Sequence, residues 1–112
     1  MDAVTVVQQQ LEAYNARDLE RFLALYAEDI VAYRPPAAEP VLSGKAAFAG
    51  FYRAQRFCHE GLHAELLGRL VLADKVFDHE RISGVTPAPF ELVVAYCVRD
   101  GLIRATWAFA PG

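Results

Sequence analysis

The hydrophobic period of this 112-residue chain changes once, near Gly61, and that change limits its architecture more than any other feature. Before it, apolar residues recur every three or four positions. Val4, Val7, Leu11 and Tyr14 fall on one face of a helix over about residues 3–15. Asn15 can end that helix and Asp18 can cap the next, on which Leu19, Phe22, Leu23 and Tyr26 form a second apolar stripe. After Gly61 the period becomes two. Leu62, Ala64, Leu66, Gly68, Leu70 and Leu72 make one face of a strand, and His63, Glu65, Leu67, Arg69 and Val71 the other. VFDHERISGV, FELVVAYCVR and LIRATWAFA continue as strands, with a hairpin turn at Asp100-Gly101.

The first half also holds a short strand, residues 29–34, with Ile30, Ala32 and Arg34 on one face and Val31 and Tyr33 on the other. Pro35-Pro36 stops it, because proline cannot donate to a ladder. Ser43 is placed to cap a third helix that carries Phe48, Phe51, Tyr52 and Gln55. Three helices with an early short strand, followed by four long antiparallel strands, predict an α+β fold with the helices on one face of a curved antiparallel sheet. The length suits one domain over residues 1–112 and is too short for two.

Hydrophobic residues make up 54% of the chain. So apolar a small domain is expected to line a pocket or to pair with a second chain. The net charge is −3, and no basic stripe or aromatic-basic motif is present, which excludes nucleic acid as an expected partner. No apolar run approaches the ~20 residues of a membrane span, and MDAVTVVQQQ lacks the basic and apolar regions of a signal peptide. Cys58 and Cys97 form no C-x-x-C pair and are read as reduced, buried thiols of a cytoplasmic protein.

His59, Glu60 and His63 match H-E-x-x-H, which on a helix would make a zinc peptidase. Gly61 interrupts that helix and the period of two begins at Leu62, so His63 belongs to a strand. An extended path separates the two imidazoles by roughly 13 Å. That is too far for one zinc ion, and neither a metal nor any other cofactor is expected.

VVQQQLEAYNARDLERFLALYAEDIVAY, EPVLSGKAAFAGFY and VVAYCVRDGLIRATWAF resemble the nuclear transport factor 2-like superfamily in its SnoaL-like branch. The resemblance covers nearly the whole chain. It implies a cone-shaped α+β barrel whose curved sheet wraps a pocket closed by helices, with the outer sheet face commonly forming a homodimer. Known catalytic sets are carried over position by position. The aspartate base of ketosteroid isomerase falls on Arg34, its oxyanion tyrosine on Gln10 and its protonated aspartate on Val94; only a third-helix tyrosine is matched, by Tyr52. Limonene epoxide hydrolase is similar at Glu80-Arg81, but Ser83 stands where its next aspartate would be, and Ala108, Ala32 and Arg34 replace other members.

Strand parity sends Asp78, Glu80 and Ile82 to one face and His79, Arg81 and Ser83 to the other. The resemblance implies that the Arg81 face is the inner one and that Arg34 joins it. Asp78 and Glu80 would then face solvent or a partner subunit. The expected pocket therefore contains His79, Arg81 and Arg34 as candidate catalytic groups, with Tyr52, Ser83, Leu92, Val94 and Tyr96 as ligand-binding wall. A histidine can act as acid or base near neutral pH, and two arginines can hold an oxyanion. The expected function is a dimeric small-molecule-binding cone without the known isomerase or hydrolase sets. The alternative is an isomerase, cyclase or hydrolase acting on a small apolar molecule with an anionic or enolisable group.

Overall fold

Two aspartates start the first two helices. In the computed structural model, which describes residues 1–111, Asp2 accepts a hydrogen bond from the Thr5 amide and Asp18 from the Arg21 amide. Helix α1 spans Ala3–Asn15 and α2 spans Leu19–Leu23. The second apolar stripe is cut short, because the Ile103 amide donates to the Leu25 carbonyl and draws Tyr26 into the sheet. Strand β1 therefore covers Tyr26–Tyr33, earlier than its expected start. Leu42–Ser43 forms a short strand β2, and Lys45–Gln55 is helix α3. Ser43 does not cap α3. It pairs with Val31 in the ladder, and Gly44, at φ +87°, turns the chain into the helix without a side-chain cap.

Strands β3 (His63–Leu72), β4 (Lys75–Ser83), β5 (Phe90–Arg99) and β6 (Leu102–Phe109) follow as antiparallel neighbours. The six strands lie in the order β2-β1-β6-β5-β4-β3. β1 joins β6 in parallel, which closes the early strand onto the last one. The result is an α+β fold of three helices on a curved, mostly antiparallel sheet. Val6, Val7, Leu11 and Tyr14 of α1 and Phe22 of α2 pack into its concave side, together with Phe48 of α3 and Val76, Ile82, Tyr96 and Ile103 of the strands. The Asn15 side chain ties the end of α1 to β3, donating to the Ala64 carbonyl at 3.0 Å and accepting from its amide at 2.7 Å.

A bulge at Leu67 changes the faces of β3. Leu66 lies opposite Glu80, but Gly68 lies opposite His79, so one extra residue separates the two pairs. From there on the parity expected from the alternation is reversed. Arg69 turns inward, and Leu70 and Leu72 turn out, where they are 74% and 70% exposed. At the other end of the hairpin, Gly84 (φ +84°) passes so close to Gly61 that any Cβ would meet the Gly61 carbonyl oxygen at 2.1 Å. No helix among the described residues is long and apolar enough to cross a membrane.

Candidate functional site

The cone encloses a cavity of ≈ 200 Å3. Its floor is built from all layers of the fold: Gln10 from α1, Phe22 from α2, Tyr26 from β1, Glu80 from β4 and Tyr96 from β5. These side chains are buried, whereas Arg34 and Val41 are exposed and Arg56 and Phe51 half-buried, so the latter four mark the mouth. Leu92, Val94 and Ile82 make apolar wall.

A hydrogen-bonded relay crosses the floor. The Tyr26 hydroxyl donates to Gln10 Oε1 at 3.2 Å, and Gln10 Nε2 donates to the Tyr96 hydroxyl oxygen at 3.2 Å. Gln10 thus satisfies two phenols in a place where water is largely excluded. Burial pushes both phenols well above their ordinary pKa, with the nearby Glu80 adding to the shift, so they remain neutral donors. Burial also raises Tyr52, to about 12, against the pull of Arg56 and Arg34 and with the push of Glu80. That hydroxyl accordingly feels both the cations of the mouth and the carboxyl of the floor.

Glu80 is the unusual group. It is 5% exposed and lines the cavity, and its carboxyl has no hydrogen-bond partner among the described residues. Burial pushes its pKa up to about 7, the Asp78 carboxylate pushes the same way, and Arg69 pulls back. Asp78, 0% exposed, is held on the same face by Arg69, which donates from Nε to Oδ1 at 2.6 Å and from Nη2 to Oδ2 at 2.9 Å. Gln8 accepts a further bond from Arg69 Nη1 at 2.9 Å. The ion pair is thereby complete, and Glu80 is left beside it with its oxygens facing the cavity.

Several expectations are corrected here. His79 and Arg81 lie on the outer sheet face, not in the pocket. His79 Nε2 meets Glu91 Oε1 at 2.7 Å, and Arg81 donates to Glu65 Oε1 at 3.1 Å. Ser83 shares their parity at the end of β4 and is not part of the cavity wall. Asp78 and Glu80 occupy the inner face that had been assigned to these three. The physical reason is packing: Val76 and Ile82 share the parity of Asp78 and Glu80 and are both buried under the helices, which fixes that face as the concave one. Val76 and Ile82 are the sequence signal for this face, and Gly68 inside a strand is the signal for the bulge that supplies Arg69.

Arg34 does line the cavity, but at its mouth, and Tyr52, Leu92, Val94 and Tyr96 lie on its wall. Arg56, Gln10 and Glu80 are cavity groups absent from the expected set. His63 is the first residue of β3 and His59 lies in the preceding turn, so the H-E-x-x-H residues share no helix face. Cys58 is exposed and Cys97 half-buried on the outer face, rather than both being core thiols.

The comparisons with known proteins agree with the fold. Among solved structures, the chain is similar to an uncharacterised cystatin-fold protein from Novosphingobium aromaticivorans, with 19% identity, TM-score 0.81, and 96% of this chain and 97% of that chain covered. It is similar to Δ5-3-ketosteroid isomerase from Mycobacterium sp., with 24% identity, TM-score 0.83, and coverage of 97% and 92%. It is also similar to an NTF2-like protein of unknown function from Cytophaga hutchinsonii, with 10% identity, TM-score 0.82, and coverage of 99% and 91%. Curated protein sequences provide no match. At these identities the structural likeness speaks for the fold alone. The model of the SnoaL-like domain matches residues 7–106, nearly the full length, and the chain belongs to the SnoaL-like domain family.

Proposed function

We propose that this protein takes a small, largely apolar molecule into the cone and that Glu80 moves a proton on it, an isomerase- or cyclase-type activity. The carrying observation is the Glu80 carboxyl, which sits on the inner face of β4 and opens onto the cavity rather than into an ion pair, so that burial pushes its pKa up to about 7. A carboxyl with that pKa exchanges a proton readily near neutral pH. Tyr52, Tyr26 and Tyr96 are neutral phenols on the same cavity and suit the oxygen that gains charge when a neighbouring C–H is deprotonated. The ketosteroid isomerase likeness is consistent with such chemistry, although the acid–base group proposed here stands on a different strand from the one the resemblance would supply. A cavity of ≈ 200 Å3 suits one ring with a short side chain, since about 150 Å3 already holds benzene.

The test is hydrogen–deuterium exchange of benzylacetone in D2O, followed by NMR. Exchange alpha to the ketone should be accelerated by the protein and lost in Glu80→Gln, which keeps the shape and removes the acid–base group. Exchange at the uncatalysed rate with the unmodified protein, or full exchange by Glu80→Gln, would overturn the assignment.

The outer sheet face is also proposed to pair with a second copy of the chain. Leu70, Leu72, Phe77 and Phe109 are exposed on or beside it, a larger apolar set than a sheet face turned to water usually carries.

A further inference from the structure

We infer that the ligand of this cavity is a carboxylic acid, whose anionic head is held at the mouth by Arg34 and Arg56 while its apolar body reaches toward Glu80. This rests on the cavity being a small-molecule site, as proposed above, and adds the charge and orientation of what enters it.

The argument begins with where the positive charges of the chain go. Lys45, Arg69, Lys75, Arg81, Arg99 and Arg104 each have a carboxylate within 4.0 Å. Arg17, Arg21, Arg34, Arg53 and Arg56 have none among the described residues, and of these five Arg34 and Arg56 line the cavity. Arg56 is moreover held in place. Its guanidinium lies 5.4 Å from the centre of the Phe51 ring and 5.7 Å from that of Phe90, donates at 3.3 Å to the adjacent Gln55 carbonyl, and lies close enough to the Tyr14 hydroxyl to pull that phenol's pKa down against burial. The two flanking rings restrain the guanidinium and strip part of its water, and the N–H groups not engaged by Gln55 and Tyr14 remain for a ligand. A half-buried cation positioned in this way, with a second one lining the same cavity and both acting on the Tyr52 hydroxyl, suits recognition of a planar anion.

The floor argues for the same orientation. Glu80 is the carboxyl among the residues lining the cavity, and an anionic head placed beside it would be repelled. An acid therefore enters body first. The walls between the two ends are Leu92, Val94, Ile82 and Phe22, which offer an apolar body its contacts and leave polar recognition to the mouth and the floor.

Hydrocinnamate and its neutral amide, hydrocinnamamide, are the probes, measured by calorimetry with the full chain at two salt concentrations. The acid should bind at least about tenfold more tightly than the amide, and the difference should shrink at the higher salt. Arg34→Gln and Arg56→Gln should each remove most of that difference, because each weakens binding of the acid much more than binding of the amide. Arg53→Gln, an equal loss of charge on the exposed side of the third helix, should remove none of it. Equal binding of acid and amide would overturn the inference and leave the cavity reading standing, because a neutral ligand would still be bound. A preference for the acid that survives both arginine substitutions would also overturn it. If neither probe binds and benzylacetone exchange is absent as well, the cavity reading fails together with this one. All variants are first checked for an unchanged thermal transition, and the double variant Arg34→Lys/Arg56→Lys, which keeps charge but not the planar fork, should retain only part of the preference.

Discussion

Arg69 and Asp78 lie directly opposite each other in the β3–β4 ladder and make two parallel hydrogen bonds across it, on the concave face beneath α1. The pair exists because a single extra residue, Leu67, turns the second half of β3 over. Without that bulge Arg69 would point to solvent and Asp78 would be a bare charge in the core. Removing only the cation should recreate that situation. Arg69→Met is expected to cost about 3–5 kcal/mol, the range for breaking one side of a buried pair. Arg69→Met/Asp78→Leu should recover a large part of the loss. Urea denaturation of the single and double variants checks both statements, and a double variant no more stable than the single would refute the account.

Glu80 makes stability depend on pH in an unusual direction. Its folded pKa, about 7, lies above the ordinary 4.5, so between these values the folded chain binds more protons than the unfolded one. Stability from this group is therefore fully present below about 4.5, declines as pH rises through that window, and is gone above about 7. The shift corresponds to a penalty of about 3 kcal/mol at high pH. Glu80→Gln carries no such titration. Relative to the unmodified protein it should gain stability on going from pH 5 to pH 8, by an amount of that order. Thermal melts of the two proteins across this range measure the difference, and parallel pH profiles would contradict it.

Gln10 answers for two buried phenols at once. In Gln10→Leu the Tyr26 hydroxyl loses its acceptor and the Tyr96 hydroxyl loses its donor. A cost of about 1–3 kcal/mol is expected, as for a buried polar group left unsatisfied. Gln10→Glu should instead change the proton balance of the floor, because a second carboxyl would then share it with Glu80. The urea midpoint of Gln10→Leu gives the first effect, and an altered pH profile of benzylacetone exchange by Gln10→Glu gives the second.

For the outer face, light scattering at tens of micromolar should give the mass of two chains, and Leu70→Glu/Phe77→Glu should give the mass of one. Thiol labelling is an independent reading, since Cys97 lies opposite Lys75 on that face and Cys58 lies elsewhere. Cys58 should react quickly in both proteins, and Cys97 should react faster in the charged variant. A monomeric unmodified protein would sink the proposed pairing.

Much of the architecture was legible along the chain. The period of 3.6 marked α1 to its end at Asn15, Asp18 announced the cap of α2, and the change near Gly61 separated the helical half from the four long strands. These features are local: a cap needs one side chain and one amide, and alternation needs only that a strand have two unlike faces. The same alternation also divided β4 correctly into Asp78, Glu80 and Ile82 against His79, Arg81 and Ser83. Parity separates two faces without saying which one the helices will cover, so the choice of face was made by packing, with Val76 and Ile82 on the acidic face as its trace in the sequence. Burial of Val76 and Ile82 under the helices chose the acidic face, and the bulge in β3 brought Arg69 over to neutralise Asp78. Glu80 then became the unpaired carboxyl of the cavity, an outcome that depends on residues more than ten positions away in sequence and on how two strands are held in register.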